Sequence, residues 1–144
     1  MAGKDGDVAA SLPFEFLVLG IPISANAHPR SPSKGRWQER VRASARHGSR
    51  MSSPMSGKLQ LTLLYFYRVG TIDVDNMIKP VLDALKGTVY EDDIVISQVM
   101  ARKTKLVDGL QVAGASREVV DAIAAGDDFV LVRVDGPPAH GVMP

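Results

Sequence analysis

Apolar and polar residues divide this chain into short blocks of two kinds. From Leu59 to Arg68, Leu59, Leu61, Leu63, Tyr65 and Tyr67 alternate with Gln60, Thr62, Leu64, Phe66 and Arg68. A period of two puts successive side chains on opposite faces of a strand. The first set is apolar throughout and the second carries Leu64 and Phe66, so much of both faces is apolar, as in a strand covered on both sides and central to its sheet. Phe14 to Ile21 predicts an opening strand, Val95 to Leu106 a third and Phe129 to Val134 the last. Between these blocks the spacing lengthens to three and four. Met77, Ile78, Val81, Leu82 and Leu85 form one helical face closed by Gly87, and Val41 and Ala45 form a thinner one. Ser116 predicts the cap of a short helix over Arg117 to Ala125, ended by Gly126, with Val119, Val120 and Ile123 inward. The reading is an α/β (α+β) fold. It has a small mixed four-stranded sheet and two main helices, in the order β-α-β-α-β-(short α)-β.

The connecting stretches set the boundaries. Residues 1–12 are small and charged and predict a disordered tail. Residues 13–135 form a single domain, and the tail 136–144 reads as loose. Gly20, Pro22, Ser24 and Asn26 open a polar loop predicted to run to about Gly35, with Pro29 and Pro32 against regular structure. Ser49 to Gly57 reads as a linker. Phe14 to Ile23 followed by Ala25-Asn26-Ala27 imitates a secretory leader, but Pro13 and Glu15 interrupt it and Asp5 and Asp7 offset Lys4. It is also too short to span a bilayer, so no membrane association is expected.

Composition narrows the chemistry. Lys and Arg number 17 against 16 Asp and Glu, so the chain has no global field and any nucleic-acid affinity rests on local charge. One such place is evident: Lys34, Arg36, Arg40, Arg42, Arg46 and Arg50 face a single acid, Glu39. Such a helix repels itself unless an anion joins it, and backbone phosphate is suited to that role. Trp37 on the same segment either stacks on an unpaired base or anchors the helix to the sheet, and the anchor is favoured. Cysteine is absent, which excludes disulfides and thiolate zinc sites and fits a reducing cytoplasm. His28, His47 and His140 lack ligand spacing, and no glycine-rich loop for a nucleotide cofactor is present.

The chemistry concentrates between Asp73 and Asp93. Asp73 and Asp75, two apart, project to one side of an extended segment, and Asp75 is also placed to cap the following helix. Lys79 lies a turn later, with Asp83 as its i,i+4 partner. Glu91, Asp92 and Asp93 follow the helix, and a chain reversal there returns a carboxylate to the first pair. Carboxylates grouped in this way suit magnesium, which takes oxygen ligands and shares them with substrate phosphate.

Asp73-x-Asp75-Asn76-x-x-Lys79-Pro80-x-x-Asp83-Ala84-Leu85-x-Gly87, then Tyr90-x-Asp92-Asp93, resembles the signature of the RusA family of Holliday junction resolvases. The resemblance implies a RusA-like fold and a homodimer that cuts four-way DNA junctions by paired symmetric nicks. It implies Asp73, Asp75 and Asp93 as ligands of Mg2+ (Mn2+ substituting), with Asp92 nearby and Lys79 assisting catalysis. Asn26 and Asn76 join Lys34, Arg36, Arg40, Arg42 and Arg46 as candidate DNA contacts. The alternatives are a module that binds branched DNA without cutting it, and a nuclease for flaps or forks. Ile72 and Val95 stand where family members often carry a basic residue and a glutamine. The helix at 116–125 replaces the tight hairpin usual between the last two strands.

Overall fold

The computed structural model describes residues 12–49, 53–107 and 114–137. In chain order these form β1 (Phe14–Leu19), α1 (Pro32–Ser49), β2 (Leu59–Tyr67) and a 3₁₀ turn (Val74–Met77) running into α2 (Ile78–Leu85). A second 3₁₀ turn (Asp93–Val95) then leads into β3 (Ile96–Lys105), followed by α3 (Arg117–Ala125) and β4 (Phe129–Asp135). The predicted order and the mixed four-stranded sheet are both present. The tails predicted at 1–12 and 136–144 lie almost wholly outside the described residues, as do Arg50 and His140.

The strands are arranged β1-β4-β2-β3. β2 runs parallel to β3, with Leu63 beside Ala101, and antiparallel to β4, with Leu63 beside Val132. The period-two strand is therefore central. Leu59, Leu61, Leu63 and Tyr65 face α1 and α2, together with Val130, Val132, Val134, Phe16 and Val18. The opposite face carries Phe66 stacked on Phe129, 4.9 Å between ring centroids, under Val119 and Ala122 of α3.

Two local readings are corrected, the end of the polar loop and the inward face of α3, while the favoured reading of Trp37 holds. The polar loop ends at Ser31 and the helix begins at Pro32. Proline suits a first helical turn, where no N–H is needed, so it starts this helix instead of forbidding it. Trp37 is buried with Val41 and Ala45 and anchors α1 to the core. On α3 the inward residues are Val119, Ala122 and, in part, Ile123, whereas Val120 is 51% exposed. The helix entered at Ser116 turns its i, i+3 and i+4 positions to the sheet, and Val120 falls beside that stripe. This helix, whose purpose the sequence left open, covers part of the second sheet face.

One buried charge holds the path to the acidic loop. The Asp128 carboxylate, just before β4, accepts from Tyr65 Oη (2.6 Å) and from the backbone N–H groups of Arg68 (2.7 Å), Gly70 (3.0 Å) and Val69 (3.3 Å). A Cβ at Gly70 would overlap the Tyr65 hydroxyl, so the turn closes only around glycine. Burial alone would raise the Asp128 pKa, but the tyrosine hydroxyl and the three amides outweigh it and hold the group below the usual carboxylate range. Burial, and then the bond to Asp128, push the Tyr65 phenol far above its ordinary value.

A carboxylate whose folded pKa is depressed stabilises the fold fully above the unfolded pKa, about 3.9. That stability is lost as pH falls through the lower folded value. Asp128→Asn is therefore expected to lose about 2–3 kcal/mol of unfolding free energy at pH 7 and to fall less steeply than wild type between about pH 5 and pH 3. Urea denaturation at these pH values checks it. Equal acid sensitivity in both proteins would rule the carboxylate out as the source.

Candidate active site

Beyond the Asp128-locked turn, Thr71 and Ile72 lead to Asp73, whose backbone is extended (φ −71°, ψ 147°). Its carbonyl accepts from Asn76 N–H at 3.0 Å and starts the 3₁₀ turn. No side chain caps this turn or α2, whose N-cap is Met77. The expected capping role of Asp75 is thus corrected: Asp75 lies inside the 3₁₀ turn, ahead of the first α-helical residue. As a result the carboxylates of Asp73 and Asp75 are both exposed, with no hydrogen-bond or ion-pair partner among the described residues. Pro80 falls in the first turn of α2, where its missing N–H is no loss. Its carbonyl accepts from Gln38 Nε2 of α1 at 3.1 Å.

The loop after β1 closes on the same place. Ala25 N–H donates to the Asn76 carbonyl at 2.7 Å, and Asn26 N–H to Ser24 Oγ at 3.0 Å. Together they leave a concavity of about 380 Å³ lined by Ile21, Pro22, Ser24, Thr71, Ile72, Asp73 and Asn76. The stretch carrying Asn26 thus sits beside Asn76 and Asp73.

Asp93 comes beside Lys79, on the helix that follows this loop. The lysine ammonium lies 2.7 Å from Asp83 and 4.0 Å from Asp93. The bond to and charge of Asp83, with a further contribution from Asp93, raise its pKa. Lys79 is therefore a cation throughout the neutral range, a donor and not a base. The turn between α2 and Asp93 is built on buried Tyr90, whose hydroxyl donates to the Leu82 carbonyl at 2.7 Å while its own carbonyl accepts from Gly87 N–H at 2.7 Å. Burial, and then the charges of Asp93 and Asp83, push the Tyr90 phenol up. Asp92 caps the second 3₁₀ turn by accepting from Ile94 N–H at 3.1 Å, with Lys86 at 4.0 Å. That amide first, then Asp93 and Lys86, lowers its pKa.

Among the described residues, no three His, Cys, Asp or Glu side chains stand close enough together to hold a metal ion as placed. Asp93 stands 4.0 Å from the Lys79 ammonium of α2, and Asp73 and Asp75 are exposed on the turn that precedes that helix. Like charges do not gather without a cation among them. The donor set is nonetheless all carboxylate oxygen, which is hard-cation chemistry.

The basic helix is less free than its sequence implied. Glu39 takes both Arg42 (3.1 Å) and Arg46 (3.6 Å). Arg36 reaches Ser33 Oγ at 3.3 Å and Arg40 the Leu19 carbonyl at 3.0 Å. Lys34 has no side-chain partner among the described residues.

The family model described as Endodeoxyribonuclease RusA matches residues 27–112 of the 144, more than half of the chain. The chain belongs to the RusA family. The match contains Asp73, Asp75, Lys79 and Asp93 and omits β1, α3 and β4. No curated protein sequence matches the chain. Membership makes this RusA domain one of a family of endodeoxyribonucleases that act on Holliday junctions. Sequence reasoning missed Gln38, Tyr65 and Asp128, which support the site from outside its motif. Tyr90 stood inside the quoted motif without a role.

The two parts of the site should separate in stability measurements. Tyr90→Phe, which leaves the Leu82 carbonyl without its donor, is expected to cost about 1–2 kcal/mol. Lys79→Met, in an exposed pair, should change stability by less than about 0.5 kcal/mol. Chemical denaturation reads both, and a large loss from Lys79→Met would make that ion pair a structural one.

Proposed function

We propose that this chain is a magnesium-dependent endodeoxyribonuclease that resolves four-way DNA junctions as a homodimer, each protomer making one of two symmetric cuts. The observation that supports it best is the placing of the Lys79 ammonium. It lies between Asp83 and Asp93, on the helix that follows two carboxylates with no partner among the described residues. A structural lysine needs only the first of these contacts.

Asp73, Asp75 and Asp93 would hold Mg2+, or Mn2+ in its place. Such an ion supplies a Lewis acid that lowers the pKa of water and neutralises charge on phosphate. Lys79, fixed as an ammonium, donates to the attacked phosphate and steadies the charge that develops there. Asp83 holds that ammonium in position from the same helix. Asp92, committed to the Ile94 amide, is a poorer ligand than Asp93. Lys34, Arg36 and Arg40 of α1, which have no carboxylate partner among the described residues, contact the phosphate backbone, which makes binding salt-dependent. Two-fold symmetry sets one site on each of two opposed strands. The described residues include no helix long and apolar enough to cross a membrane, and a DNA substrate with a chain lacking cysteine fits the cytoplasm.

A labelled four-way junction, incubated with protein and either magnesium or chelator, tests this. Paired symmetric nicks are expected only with magnesium. Asp73→Asn should cut at least about a hundredfold more slowly while binding the junction as well as or better than wild type, because a carboxylate facing phosphate is gone. Lys79→Met should lower kcat by a similar factor and change the junction Kd little. Product in chelator, or undiminished cutting by Asp73→Asn, would remove the assignment. A shifted band without product in magnesium would favour the non-cleaving module.

A further inference from the structure

Next to the acidic site is a surface that its chemistry does not use. Leu19 (48% exposed), Ile21 (50%) and Val69 (72%) present aliphatic side chains to solvent around one concavity of about 380 Å³. Gly20, Gly126, Asp127 and Asp128 complete its lining. Ile21 also lines the depression that contains Asp73, so the two concavities are neighbours that share this side chain.

The charges around this surface indicate what it takes. Arg40 donates to the Leu19 carbonyl at 3.0 Å, and a Cβ on Gly20 would strike its guanidinium. On the other side Arg68 reaches the Ile123 carbonyl at 3.4 Å, within contact range of Gly126. Neither guanidinium has a carboxylate partner among the described residues. No cation lines the concavity itself. Asp127 is in its wall, and the Asp128 carboxylate is already taken by Tyr65 and the turn amides. An apolar hollow with an acid in its wall rejects phosphate and accepts a base face. The two arginines outside it accept the phosphates on either side of that base. The wall at Gly126 to Asp128 follows α3 and lies outside the family match.

We propose that the concavity of Leu19, Ile21 and Val69 receives a DNA base unstacked at the branch point, with Arg40 and Arg68 on the phosphates flanking it. The assignment rests on the junction-cutting reading above, since a fully stacked duplex offers no base to insert. It makes these side chains determinants of branched over linear DNA, and it gives the insertion at α3 a use.

The test uses the full chain, a four-way junction carrying 2-aminopurine at the branch point, and chelator to prevent cutting. Wild type should brighten the probe on binding. Ile21→Ser/Val69→Ser, at two exposed positions, should melt as wild type does. It should lose most of the brightening and bind the junction about five- to tenfold more weakly, with linear-duplex affinity within about twofold. Arg68→Ala should weaken both DNAs and lower the salt slope by about one. If the double variant brightens the probe as fully as wild type while wild type cuts junctions, the base pocket is wrong and the nuclease reading stands. If wild type binds no junction, that reading fails and the pocket falls with it.

Discussion

A single carboxylate links the two halves of this molecule that must cooperate. Asp128 stands at the start of β4 and collects the Tyr65 hydroxyl and the N–H groups of the turn that leaves β2. Those amides have left the β-ladder, and the buried one of Gly70 would otherwise be a donor without an acceptor, a costly state in an apolar surrounding. An ionised acceptor with several lone pairs meets all of them at once, and charge-assisted bonds are the strong ones. The path from the central strand to Asp73 therefore has one geometry. Precision at the acidic loop comes from this turn, because among the described residues neither Asp73 nor Asp75 is held by a side-chain bond of its own.

The same division between held and unheld charge runs through the site. Asp83 and Asp92 are committed, one to Lys79 and the other to a backbone amide. Among the described residues Asp73 and Asp75 are left open, and Asp93 meets the lysine at 4.0 Å. The committed carboxylates explain the architecture, and the open ones are those with lone pairs to give a cation. Lys79 meanwhile compensates the acidic cluster by drawing Asp93 toward the helix start.

Much of this was legible from the chain itself. Strand alternation in Leu59 to Tyr67 identified the central strand because both of its faces are covered. The i,i+4 spacing of Lys79 and Asp83 identified their ion pair because helix geometry leaves few options. What failed were readings with two physical meanings. Pro32 opens a helix or blocks one depending on whether it falls in the first turn, and sequence does not say where that turn begins. Asp75 reads as a cap until the intervening 3₁₀ turn moves the helix start past it. Asp128 carried no signal at all, since an Asp-Asp pair before a strand looks like a solvated turn. Its role exists only once β4 has been laid beside β2. The pairing of Arg42 and Arg46 with Glu39 was hidden for a similar reason, because side chains that lie near one another on a helix still choose among partners.

These pairings change how the protein meets DNA. With 17 basic and 16 acidic side chains the chain exerts no long-range pull, and charges beyond about 8–10 Å are screened at physiological salt. Attraction to a phosphate must come from cations that are local and unpaired. Glu39 removes two arginines of α1 from that set; Lys34, Arg36 and Arg40 of that helix remain, and Arg68 joins them. Arg40 comes from the basic helix, whereas Arg68 comes from the turn that leads from β2 to Asp73. The two come to the same part of the surface only because the β1–α1 loop and the β2 turn both close against the residues around Asp128. The recognition surface is thus assembled by the fold, with contributions from the family-matched core and from the segments that flank it. That is why a count of basic residues along α1 overstates its part in binding and understates that of Arg68.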